Sequence, residues 1–219
     1  FQDGRLTTDA DLDIEALLAK EDAIHDDLIR GACPAQFLPW LCASMGCALR
    51  VMPGNILPVD MNLSWSDCHG AADGCRESAW FRKYLAFAAA LAARSAGRYP
   101  VSYGTIVGPL DLAVKLRGHE QTVLDFFDEP EESLRLLQRL AEVFVDVSKD
   151  VLARVGPHHG GYYDSVFNLW APGTLVRLQE DAIAVLSPEL YSRFIRPLDA
   201  MMAGEFDYSI MHLHTNSRF

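Results

Sequence analysis

Two histidines separated by one residue stand near the end of the chain, in Tyr208-Ser209-Ile210-Met211-His212-Leu213-His214. The segment reads as a β-strand, and alternate strand residues face the same side. His212 and His214 therefore present two imidazoles to one face, with Met211 and Leu213 on the other. Two imidazoles placed this way can ligate one metal ion together, whereas a lone interior histidine is more often a hydrogen-bonded structural residue. A catalytic zinc would need a third protein ligand and an open position. In a parallel α/β barrel the apolar pair packs beneath the helices. The histidines then face the interior at the strand's C-terminal end, where barrel enzymes carry their active sites. Asn216, in the Thr215-Asn216-Ser217 that follows, is a candidate substrate contact.

A second polar stripe lies upstream. In a strand over residues 174–184, Arg177, Gln179 and Asp181 share one face, and Val176, Leu178 and Ala182 share the other. Three polar groups pointing into a barrel are costly unless paired or used. One outcome is an Arg177–Asp181 pair filling the interior. The other makes Asp181 and Gln179 candidate catalytic residues that contact substrate or orient the histidines, with Arg177 as a substrate contact. Tyr163 and Trp170, in the aromatic stretch between Tyr162 and Trp170, are candidates for the wall of a pocket for a flat ligand. His158 and His159 lie between Gly156-Pro157 and Gly160-Gly161 and read as a surface turn. Cys68, His69 and Cys75 fit no standard zinc signature.

The elements that must position these groups follow from periodicity and punctuation. Helical spacing runs over residues 11–30 to Gly31, and Pro34 opens a second helix that continues to Gly46. Residues 47–52 read as a strand stopped by Pro53-Gly54, and residues 62–74 as a polar loop. Residues 77–96 form an Ala-rich helix, residues 99–104 a strand, and residues 110–116 a helix. Asp128-Glu129-Pro130-Glu131 opens a long helix with an apolar stripe at Leu134, Leu137, Leu140, Phe144, Val147 and Val151. Residues 160–167 read as a strand, Ser187-Pro188 opens a further helix, and residues 208–214 are the last strand. This alternation predicts an α/β fold with parallel strands. No glycine-rich nucleotide fingerprint, P-loop or nucleophile elbow occurs.

Composition narrows the function classes. The chain has 219 residues and a net charge of −11, with 19 Lys and Arg against 30 Asp and Glu, so it carries no overall attraction for a phosphate backbone. The longest apolar stretch, residues 84–93, falls short of the roughly 20 residues of a membrane-spanning helix. Five cysteines at irregular spacing read as reduced thiols of a cytoplasmic protein.

Several segments together resemble the uroporphyrinogen decarboxylase superfamily. They are Gly108-Pro109-Leu110-Asp111-Leu112-Ala113, Phe126-Phe127-Asp128-Glu129-Pro130-Glu131, Gln179-Glu180-Asp181, Leu186-Ser187-Pro188-Glu189-Leu190-Tyr191 and Phe194-Ile195-Arg196-Pro197. The H-x-H strand falls where that superfamily has a strand ending in H-x-C-G or a variant. The resemblance spans residues 99–219 and implies a (β/α)8 TIM barrel. It also implies one of two activities, porphyrinogen decarboxylation or corrinoid-dependent methyl transfer to a thiol. The decarboxylases carry an N-terminal arginine cluster, whereas Arg5, Arg30 and Arg50 stand far apart here. The methyltransferases hold zinc with H-x-C and a later cysteine. His212 matches the first ligand, and His214 stands in place of the cysteine. The resemblance thus favours a methyltransferase using a zinc-activated thiol, with a corrinoid donor on a partner protein. The alternatives are a uroporphyrinogen decarboxylase and a non-catalytic barrel that binds a corrinoid or tetrapyrrole.

Such barrels typically need about 250 residues. The expectation is therefore an incomplete barrel over residues 47–219, preceded by a helical extension over residues 1–46. The missing C-terminal part would carry the third metal ligand.

Overall fold

The computed structural model describes residues 6–21 and 31–214, so Asn216 lies outside the described residues. Helices and strands are mixed, and the strands form three small sheets rather than one continuous wall. Strands β1 (Leu6–Thr7), β2 (Leu49–Met52) and β3 (Asn55–Pro58) make an antiparallel sheet in the order β1-β2-β3. Strands β4 (Tyr162–Asp164) and β5 (Leu169–Ala171) form an antiparallel hairpin. Strands β6 (Leu175–Gln179) and β7 (Tyr208–His212) pair in parallel. Residues 99–104, expected as a strand, contribute a single parallel bridge between Ala32 and Val101. Among the described residues no closed barrel forms.

The helices supply most of the core. Helix α7 (Pro130–Val155) is the longest, opened by Pro130 and by Glu131 and Glu132 in its first turn. Leu136, Leu137, Leu140, Phe144, Val147 and Val151 are buried along one stripe, while Leu134 turns partly to solvent. Against α7 pack α3 (Trp65–Gly74), α4 (Ala79–Ser95), α5 (Pro109–Arg117), α6 (His119–Asp128) and α9 (Arg196–Gly204). Helix α1 (Ile14–Glu21) covers part of the N-terminal expectation, and residues 22–30 lie outside the described residues. The helix expected from Pro34 narrows to α2 (Trp40–Ser44), where the Trp40 ring stacks on Tyr84 at 4.8 Å. Because β1 pairs with β2 and α2 packs on α4, residues on both sides of position 46 share one sheet and one core.

Helix α3 replaces the loop expected over residues 62–74. The Ser64 hydroxyl accepts from the Asp67 N–H at 3.2 Å and donates to the Asp67 carboxylate at 2.6 Å, a cap that starts the helix despite its two glycines. Its buried stripe is small, Cys68 and Ala72, which is why apolar periodicity did not reveal it. Met211 and Leu213 differ from expectation too: both keep a substantial part of their surface exposed rather than being tucked beneath helices. β7 pairs with β6 along one edge, and its other edge has no strand partner among the described residues.

The chain between β6 and β7 winds without a break from α8 (Pro188–Leu190) through a π-helical turn (Tyr191–Ile195) into α9. Ser187 caps its start by accepting from the Leu190 N–H. Asp199 of α9 is buried, accepts a hydrogen bond from the Tyr191 hydroxyl at 2.9 Å, and leaves its Oδ1 without a partner among the described residues. Burial pushes its carboxyl up to about 6. A carboxyl whose folded pKa is raised favours folding most when protonated, and that contribution is lost as pH rises from the unfolded value, about 3.9, through about 6. Thermal melts should therefore show Asp199→Asn gaining stability over the wild type as pH rises from 4 to 7. A constant offset across that range would contradict this assignment.

Candidate functional site

The parallel register brings the two polar stripes together. Gln179, the last residue of β6, pairs with His212, the last residue of β7. Both strands thus end side by side, and the residues just beyond them meet. His212 and His214 face the same way, as alternation requires, with ring centroids 4.8 Å apart and Nε2 atoms 3.4 Å apart. Asp181 opens a 3-10 helix (Asp181–Val185) directly after β6 rather than continuing the strand. Its Oδ1 lies 3.0 Å from His214 Nε2 and 3.8 Å from His212 Nε2. These three side chains form the metal-capable cluster found among the described residues. Asp181 and His214 are about half exposed and His212 is less so, so the cluster opens to solvent. The Phe167 ring lies against His212 at 5.7 Å and walls one side.

A chain of polar contacts runs from this cluster into the interior. Gln179 Nε2 donates to Asp181 Oδ2 at 3.2 Å, and the Gln179 Oε1 accepts from Arg177 Nη1. Because a guanidinium can only donate, the Gln179 amide oxygen must face Arg177, which turns the amide nitrogen toward Asp181. That leaves Asp181 Oδ1 directed at the histidines. Arg177 does not pair with Asp181. Its Nε donates to Asp164 Oδ2 at 3.0 Å and its Nη2 to the Gly104 carbonyl at 3.1 Å. With side chains 1% and 0% exposed, Arg177 and Asp164 form a buried ion pair, so the guanidinium expected as a substrate contact is enclosed by protein. Asp164 also accepts from the Tyr103 hydroxyl at 3.2 Å and from the backbone N–H groups of Val166 and Phe167.

Two carboxylates next to the site carry no short-range signal in the sequence. Asp111 on α5 accepts the Asp181 N–H at 2.9 Å and the Ala182 N–H at 2.7 Å. Glu180, fully enclosed, accepts the Leu110 N–H at 2.8 Å. Burial pushes Asp111 up to about 6, and burial followed by the neighbouring Asp199 and Asp111 pushes Glu180 well above the usual carboxylate range. Both residues stand inside motifs singled out above, Gly108–Ala113 and Gln179–Asp181. Nothing in the spacing, though, ties two residues about 70 apart.

Tyr163 and Trp170 line, with Pro100, His158 and His159, a surface cavity of about 410 Å³. The Tyr163 hydroxyl donates to Asn168 at 2.6 Å, and the Trp170 indole donates to the His158 carbonyl at 2.9 Å. None of these residues belongs to the Asp181–His212–His214 group, so the two features are separate. His158 and His159 form the turn that closes onto Gly161. Cys68 and Cys75 are buried thiols, pushed up by burial to about 11 and about 12.

No protein-family model and no curated protein sequence matches the chain. Among solved structures, a methyltransferase from Methanosarcina mazei matches with a TM-score of 0.64 at 12% sequence identity, over 86% of this chain and 52% of that one. The chain has a methyltransferase-like fold. It spans about half the length of that methyltransferase. Among the described residues, no helix is long and apolar enough to cross a membrane.

The Arg177–Asp164 pair carries the support of the site inward, so breaking it has a large cost. Removing one partner of a buried pair strands the other charge and costs about 3–5 kcal/mol. Asp164→Ala should lower the unfolding free energy by that order in a denaturant titration. A loss under 1 kcal/mol would show that the Gly104, Thr105 and Gln179 contacts suffice to hold Arg177.

Proposed function

We propose that this chain carries the zinc site of a methyltransferase that activates a thiol substrate, with His212, His214 and Asp181 as the protein ligands. The observation that carries the reading is the triangle of donor atoms. Its edges are 3.4 Å, 3.0 Å and 3.8 Å. Ligands at about 2.0–2.1 Å from a tetrahedral zinc stand about 3.3–3.4 Å from one another. The three donors therefore have the size of one face of such a site, and two nitrogens with one carboxylate oxygen suit zinc's preferences. The third donor, expected beyond Phe219, has a candidate within the chain in Asp181. The methyltransferase-like fold supports the same reading, as does the placement of the group at the C-terminal ends of two parallel strands. A (β/α)8 barrel, which the described residues would contribute in part, is the architecture proposed for the whole.

When bound, zinc would hold a thiol as its thiolate at neutral pH, the form that acts as a nucleophile. The chain's own residues set up that role. Gln179 occupies one oxygen of Asp181 and leaves the other for the cluster. Arg177 fixes the Gln179 amide. Phe167 shields His212, while the exposed side of Asp181 and His214 leaves room for substrate to approach. The methyl donor in this reading is a corrinoid on a partner protein, as the sequence resemblance implies. Decarboxylation of a porphyrinogen draws less support, because a substrate rich in carboxylates needs free cations and Arg177 is enclosed by Asp164.

Metal analysis tests the proposal. The purified protein should bind about one zinc per chain. His212→Ala, His214→Ala and Asp181→Ala should each weaken binding at least about tenfold in a chelator competition. Cobalt(II) in place of zinc should give the intense visible absorption of a four-coordinate site. A wild-type protein that takes up neither metal sinks the proposal.

A further inference from the structure

Helix α5 and the 3-10 helix after β6 begin beside each other, and each begins with backbone N–H groups that have no partner inside their own helix. The structure satisfies them crosswise. Asp111, in the first turn of α5, accepts both the Asp181 and Ala182 N–H groups at 2.9 Å and 2.7 Å. Glu180, just before the 3-10 helix, accepts the Leu110 N–H of α5 at 2.8 Å. The Gly108 N–H adds a backbone bond to the Gln179 carbonyl at 2.7 Å. Two carboxylates thus cap each other's helices, and Asp181 sits at the centre of the exchange.

The consequence for Asp181 is geometric. Its side chain is half exposed, with Gln179 Nε2 donating to one oxygen and His214 Nε2 lying against the other. Its backbone is pinned by Asp111. A bidentate carboxylate spanning two successive N–H groups fixes the local chain direction, and with it the line along which the Asp181 side chain leaves the backbone. We propose that Asp111 is a positioning residue for the site, holding the Asp181 carboxylate against His214 and so completing the donor triangle. The inference deepens the zinc-site reading and rests on it for its functional meaning.

The test separates the two. In metal-free protein, the ring-nitrogen chemical shifts of His214, read by NMR, report whether Asp181 lies against the imidazole. Asp181→Ala sets the shifts of a His214 without that contact. Asp111→Ala should move the His214 shifts most of the way to those values, and Asp111→Asn, which keeps one oxygen acceptor, should move them less. Should Asp111→Ala fail to fold, Asp111→Asn carries the same comparison. Where wild type binds zinc, folded Asp111→Ala should bind it about 10–100-fold more weakly. Unchanged His214 shifts in a folded Asp111 variant, alongside a clear change in Asp181→Ala, overturn the inference, as does unchanged zinc affinity. A wild type that binds no zinc overturns the zinc-site reading, while the shift comparison still decides whether Asp111 positions Asp181.

Discussion

A guanidinium sealed inside a protein dictates what surrounds it, because leaving it unpaired would cost several kcal/mol. Arg177 is that group here. It sits mid-strand in β6, between Val176 and Leu178, which are also buried. Its neighbours had to supply acceptors: Asp164 from the β4–β5 hairpin, the Gly104 carbonyl from the loop before α5, and the Gln179 amide two residues on. Those three partners come from three different stretches of chain. The hairpin, the loop and the strand are therefore held in mutual position by one charge. Tyr84 of α4 extends the arrangement by donating to the Tyr103 carbonyl, while the Tyr103 hydroxyl donates to Asp164.

The outer site inherits this order. Gln179 is oriented from within by Arg177, and it orients Asp181 in turn. The backbone of Asp181 is held from the side by Asp111. Only the histidines reach the cluster along a different route, through the register of β6 with β7. The donors thus converge from two directions, one electrostatic and one set by strand pairing. The most exposed groups rest on the least exposed ones.

The histidine pair and the long helix were legible in the sequence because both follow from short-range periodicity. Alternation places His212 and His214 on one side wherever a strand forms, and a stripe such as Leu137, Leu140, Phe144 and Val147 specifies a buried face at helical spacing. What was not legible depends on distance along the chain. Spacing offers Asp181, four residues away, as one partner for Arg177, but Asp164 reaches it through the hairpin. Asp181 enters the cluster only because β7 lies parallel beside β6. Helix α3 hid behind two glycines and a stripe of small residues, although its Ser64 cap was in plain view. Met211 and Leu213 carry the strand's alternation but not the burial that alternation usually signals.

Gly108 shows how tightly the crosswise caps are fitted. A Cβ added there would lie 2.7 Å from the Glu180 carboxyl, and that carboxyl is fully enclosed. Positions 108 and 180 therefore share one volume. An alanine at 108 could be housed only if the Glu180 side chain swung aside, and that swing would pull on its bond to the Leu110 N–H at the start of α5.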